Sequence, residues 1–104
     1  MSLEYAPAPE STDVVDIKAH YGLFIDGEFV EPVDGTTFTT VNPATEEVLA
    51  EVSEAGAQDV SRAVSAASTA HSRVWSRMPG RERGKYLFRI ARIIQERSRE
   101  LAVL

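Results

Sequence analysis

The residue types that carry most enzyme chemistry are either missing from this sequence or badly placed in it. There is no cysteine, so no thiolate nucleophile, disulfide framework or thiolate metal site can be built. His20 and His71 lie far apart, with no carboxylate at a metal-ligand spacing. His71 falls on the inner side of a helical pattern, where packing is a plainer role than ligation or base catalysis. Glu46 and Glu47 are adjacent carboxylates, but neighbouring residues of an extended chain point to opposite faces and do not share an acid–base site. Serines are plentiful, yet none stands in a Gly-x-Ser-x-Gly elbow. The glycines at 22, 27, 35, 56, 80 and 84 make neither a dinucleotide fingerprint nor a phosphate-binding loop. Trp75 reads as a core or interface anchor rather than a stacking platform. On these residues alone the chain holds no active site.

The elements that would position a site are easier to read. Residues 1–19 read as a flexible tail, with Pro7 and Pro9 against regular structure and Glu10-Ser11-Thr12-Asp13 polar; Val14-Val15-Asp16-Ile17 is a candidate for local packing. The folded part is expected to run from 20 to 104. Leu23 to Val30 predicts two short strands around Asp26-Gly27, a pair suited to a two-residue type I′ turn, with Phe24 and Phe29 anchoring the buried side. Pro32 and Asp34-Gly35 mark a second turn. Thr37–Val41 is β-branched and aromatic and predicts a strand that Asn42-Pro43 ends. Val48–Val52 alternates and predicts another.

The period then changes from strand to helix. Val60, Ala63, Val64, Ala67, Ala70, His71 and Val74 form one helical stripe. Gly56 is placed as its N-cap, and Asp59 sits in the first turn, where a carboxylate meets the positive end of the helix dipole. Met78-Pro79-Gly80 breaks the pattern, and Pro79 suits a helix start. A second helix carries Leu87, Ile90, Ala91, Ile94, Ser98 and Leu101, and with no Gly, Asn or Pro to close it the sequence predicts a stop inside or just after a helix. The expected fold is therefore an α+β segment, a β-hairpin and further short strands followed by two long helices. These stripes suit a layer resting on something else better than a closed core.

Charge is divided along the chain. Residues 1–60 carry 13 acids against one base, Lys18, and residues 61–104 carry ten bases against three acids. The bases are mostly isolated arginines without interleaved aromatics to stack bases, so they read as a solvated helix face answering acids elsewhere, not as a nucleic-acid or membrane surface. The first ten residues lack the basic start and apolar core of a signal peptide, and no apolar run reaches membrane-spanning length. The expected location is the cytoplasm.

Taken in order, Leu23-Phe24-Ile25-Asp26-Gly27-Glu28-Phe29-Val30, Thr40-Val41-Asn42-Pro43-Ala44-Thr45, the Ala-rich helix, Val74-Trp75-Ser76-Arg77-Met78 and Arg81-Glu82-Arg83-Gly84-Lys85 resemble the amino-terminal part of the aldehyde dehydrogenase superfamily. The resemblance covers roughly residues 21–104. Glu46 departs from it, since many members have Gly after the Thr. The resemblance implies part of a larger α/β fold with a Rossmann-like cofactor domain, NAD or NADP as cofactor, an aldehyde substrate, and oxidation to a carboxylic acid through a cysteine thioester. It also implies that the partners are the remainder of the polypeptide and further copies in a homodimer or homotetramer. The family's cysteine, its water-activating glutamate and its cofactor motif fall on no residue here. In some members the backbone carbonyls of the two residues before Asn-Pro help hold a monovalent cation. That puts Thr40 and Val41 forward as metal ligands; a strand end with carbonyls bonded to backbone or water is the plainer alternative. A reading from another class stays open, a small self-standing module whose Arg-rich helix binds an acidic partner.

Overall fold

The computed structural model describes residues 12–104; the first eleven residues, with most of the expected tail, lie outside the described ones. A single 3-10 turn, Thr12–Val14, is followed by strands β1 (His20–Tyr21), β2 (Leu23–Ile25), β3 (Glu28–Val30), β4 (Thr37–Val41) and β5 (Val48–Ser53). Helices α1 (Ala57–Arg73), α2 (Gly80–Glu96) and α3 (Ser98–Val103) come after them. The α+β expectation holds in element order and type. Regular structure begins before the expected residue 20, with the 3-10 turn set against α3.

Asp26 and Gly27 both hold positive φ, 54° and 79°, and this makes the two-residue turn between β2 and β3. A β-branched residue is strained at such an angle, so Gly27→Val is expected to destabilise the complete protein by at least about 1 kcal/mol in chemical denaturation. The turn also fixes parity. Leu23 pairs with Val30, Phe24 with Phe29 and Ile25 with Glu28, so Leu23, Ile25 and Val30 share one face and the two phenylalanines the other. Ile25 and Val30 face α1. Phe24 and Phe29 were expected on the buried side; in this chain theirs is the open face, 64% and 69% exposed.

The second sheet has the order β1-β5-β4. β4 and β5 form an antiparallel hairpin, while β1 adds parallel to β5 with His20 opposite Glu51. Two-residue strands carry almost no sequence signal, and β1 escaped the periodicity argument for that reason.

α1 starts at the expected cap, Gly56. The chain passes through a 3-10 turn, Trp75–Arg77, where the Trp75 ring meets Tyr86 of α2 edge-on at 6.1 Å. The expected second helix is two helices. At Arg97 the backbone leaves helical geometry (φ −104°, ψ 20°) and α3 begins at Ser98. Gln95 to Glu100 is an unbroken polar run, so no packed side chain holds the helix axis straight there.

Among the described residues no combination of elements closes a core. The radius of gyration is 19.2 Å, where a compact domain of this length has about 13 Å. The surface is 9004 Å², against about 5,800 Å² for a compact protein of this mass. The hairpin faces a cleft on the side of α1 bearing Arg62, Ser65, Ala66, Thr69 and Arg73, which Ala70 and Val74 at the end of the apolar stripe also line. The start of the stripe turns away from it, leaving Val60 and Val64 52% and 62% exposed. On α2, Leu87, Ile90 and Ile94 are likewise open. These are layers without their cover.

Candidate functional site

The site put forward from sequence lies where β4 ends. Thr40 pairs with Ala50 and Val41 with Val48, so Leu49 is an extra residue in β5 and the ladder is interrupted beside Thr40 and Val41. A bulge of this kind re-aims the backbone and leaves ladder groups without their regular partner. The turn that follows is held by Asn42 on three bonds. Its Oδ1 accepts from the Ala44 N–H at 2.9 Å, its N–H donates to the Glu47 carbonyl at 2.9 Å, and its carbonyl accepts from the Glu46 N–H at 2.7 Å. Glu46 stands at φ 62°. Glycine adopts that conformation freely, whereas for a residue with a Cβ it costs on the order of 1 kcal/mol. The departure noted at Glu46 therefore falls on the one residue of the turn that would gain from being glycine. Val15 and Ile17 line a cleft of about 250 Å³ with Asn42, Pro43 and Leu49, together with Val103 of α3 and Leu104 after it.

Among the described residues no group of three or more His, Asp or Glu side chains is placed to hold a metal. Any cation at Thr40 and Val41 would take carbonyl oxygens from this chain and complete its shell elsewhere. That chemistry fits a hard, weakly held monovalent ion.

Two side chains make long-range contacts that the sequence reading did not give them. The first is Asp59, which is 1% exposed. Its Oδ2 accepts from the Gly56 N–H at 2.9 Å and its Oδ1 from the Val33 N–H at 3.1 Å, with the Arg62 guanidinium 3.7 Å away. Gly56 has no side chain to give, so only the Asp59 half of a capping box is made. The turn Pro32–Gly35, closed by the Gly35 N–H on the Pro32 carbonyl at 3.0 Å, is thereby pinned to the start of α1. Asp34 Oδ2 would lie only 3.2 Å from a Cβ on Gly56, so the approach favours glycine there. The place of Asp59 in the first turn, at the positive end of the helix dipole, was legible; its bonds to Gly56 and to Val33, 26 residues away, were not.

The second is His20. Its Nε2 lies 2.9 Å from Glu31 Oε1 and its Nδ1 lies 3.6 Å from Glu51 Oε1. The carboxylates sit at opposite ring nitrogens, so a metal on one nitrogen could not use both. All three groups are substantially exposed, and this is a surface tie between the two sheets. Only the parallel pairing of β1 with β5 brings Glu51 to it. His71 is exposed, not on a covered side.

The basic helix shows the expected solvated character in part. Lys85 and Arg81 reach Glu82 at 3.0 and 3.8 Å, and Arg97 reaches Glu100 at 3.9 Å. Such exposed pairs contribute little stability. Arg83, Arg89 and Arg92 make no ion pair among the described residues. Of the acids in residues 1–60, Asp59 is met by Arg62 of the basic half at 3.7 Å.

The geometry thus offers scaffolding and a bulged strand end at Thr40 and Val41. Comparison with known proteins gives this scaffold a context. The family model described as the aldehyde dehydrogenase family matches residues 29–104. The chain is 48% identical over 83 residues to aldehyde dehydrogenase 1 of Tanacetum cinerariifolium, a match covering 79% of this chain and 17% of that protein. It is 44% identical over 87 residues to the mitochondrial aldehyde dehydrogenase family 2 member B4 of Arabidopsis thaliana, covering 83% of this chain and 16% of that one. Among solved structures, the NAD+ complex of an aldehyde dehydrogenase from Bacillus cereus superposes with a TM-score of 0.76 at 44% identity, over 80% of this chain and 17% of the other. The chain thus spans about a sixth of the length of each of these relatives.

Proposed function

The chain belongs to the aldehyde dehydrogenase family, and on that premise we propose that it is the amino-terminal segment of an enzyme that oxidises an aldehyde to a carboxylic acid. Residues 20–104 form the first part of the cofactor-binding domain. The observation that carries this reading is the joint match in sequence and shape over four-fifths of the chain, 44% identity at a TM-score of 0.76. It is supported by three open apolar faces, on the hairpin, α1 and α2, each of which calls for a covering layer.

The chemistry proposed for the complete protein is supplied beyond this chain. A cysteine thiolate adds to the aldehyde carbonyl, loss of hydride leaves a thioester, and water activated by a glutamate releases the acid. NAD or NADP, when bound, is the hydride acceptor. This chain's own part is structural. Asp59 locks the strand layer to α1, the two helices present their stripes to later elements, and the Thr40 and Val41 carbonyls contribute to a monovalent cation site. Assembly into a homodimer or homotetramer belongs to the same proposal. The alternative, a self-standing module, draws no support from a chain that exposes 9004 Å² and closes no core.

The test is direct. Protein made from the complete reading frame is expected to reduce NAD or NADP in the presence of an aldehyde, and the 104-residue chain alone to do neither that nor bind the nucleotide. Turnover by the thiol-free chain, or none by the complete protein over a panel of aldehydes, would reject the assignment.

A further inference from the structure

From the arrangement of cations on α2 we infer that its outward face is a docking surface for an acidic segment of a partner protein, with Phe88 as its aromatic contact. The inference goes beyond the functional reading above and takes from it only that the Leu87–Leu101 stripe is covered in the complete subunit. At 3.6 residues per turn, Arg81, Lys85, Phe88, Arg89 and Arg92 share one side of the helix, centred about 180° from Leu87, Ile90 and Ile94. Covering the stripe therefore turns these five residues outward. Together they line an open cleft of about 850 Å³, whose one carboxylate is Glu96. Arg89 and Arg92 form no ion pair among the described residues, and Arg81 and Lys85 reach only Glu82, their side chains 83% and 69% exposed. Phe88 is 77% exposed, the highest value for a large apolar side chain among the described residues.

Charge and length choose the occupant. Four cations gathered beside a single carboxylate repel one another until an anion lies among them. Arginine takes a carboxylate through two parallel N–H···O bonds, and arginine and aromatic residues are the types enriched where proteins meet. From Arg81 to Arg92 the row runs about 16 Å, too long for one small anion. Arg81, Lys85 and Arg89 recur every four residues, a spacing of about 6 Å, close to the roughly 6.6 Å between alternate residues of an extended chain. Acids at alternate positions of a partner segment therefore fall in register with the row, and an apolar residue among them meets Phe88. Single-stranded nucleic acid stacks its bases on several aromatic side chains along a groove, and this face has one ring. A helix that lies on a membrane turns a broad apolar face to it, and the apolar stripe of α2 points the other way.

Fluorescence anisotropy of a labelled probe peptide tests this on the complete protein. The probe is a glutamate peptide with one central leucine, long enough to span the row. Binding is expected at micromolar concentration, weakening by at least about tenfold in high salt as the charges are screened. Arg89→Glu together with Arg92→Glu is expected to weaken it by about tenfold or more, and Phe88→Ser severalfold, with aldehyde oxidation unchanged in both variants. The same charge reversal at Arg73 of α1 and Arg77 of the turn after it, off this face, is expected to leave the affinity within about twofold. No binding by an active complete protein, or equal losses from the two pairs of reversals, would overturn the inference without touching the dehydrogenase assignment. Tighter binding of an oligonucleotide of equal charge, or of phosphatidylserine vesicles, would overturn it too. Absence of aldehyde oxidation by a complete protein that binds the peptide at this face would strike the functional reading alone.

Discussion

Asp59→Ala is expected to lower the stability of the complete protein by about 2–4 kcal/mol, the largest loss from any single polar side chain in this segment. The carboxylate is 1% exposed and accepts from two backbone N–H groups, on Gly56 and Val33. Removing it strands both donors, since the alanine methyl accepts nothing and water does not reach the site. It also loosens the turn Pro32–Gly35 from the start of α1, leaving the Glu54 N–H on the Thr36 carbonyl at 2.8 Å as a neighbouring tie. The nearby Arg62 is a weaker consideration, being half exposed at 3.7 Å. Asp59→Asn retains one accepting oxygen but turns an amide donor toward the second N–H, so its cost should fall between wild type and alanine. Urea denaturation of the three proteins measures the series. Equal midpoints would show that the junction is held by something other than this carboxylate.

The second large effect is expected on α2. Ile94→Asp should destabilise the complete protein by about 3–5 kcal/mol, because a carboxylate would be placed in the apolar layer that covers the stripe. In the 104-residue chain the same position is 53% exposed, and the helix content by circular dichroism should be unchanged. The contrast between the two contexts is the informative result. A complete protein that tolerates aspartate at 94 would place the Leu87–Leu101 stripe in solvent and defeat the view of this segment as a layer. A chain that loses its helix on the same substitution would show that α2 already had a partner within it.

Local geometry was legible because it is set by neighbours in sequence. The Asp26-Gly27 turn, the strand ending at Asn42-Pro43, the Gly56 cap and the helical stripes all depend on backbone sterics and side-chain period within a few residues. Even the significance of Glu46 was visible as a departure, and its positive φ supplies the reason. The family followed from the order of these local signals, with no catalytic residue present to announce it.

Tertiary structure decided what depends on distant contacts. It turned Phe24 and Phe29 to the open face, since parity relative to the turn says which residues share a side but not which side meets α1. It brought Asp59 to Val33, and His20 to Glu31 and Glu51, across separations that no periodicity spans. It divided the long helix at Arg97, where a polar run left nothing to hold the axis straight. A sequence specifies which surfaces are apolar, because that is a property of each residue in turn. Which of them touch is a property of the whole chain's packing, and in these 104 residues much of that packing is absent.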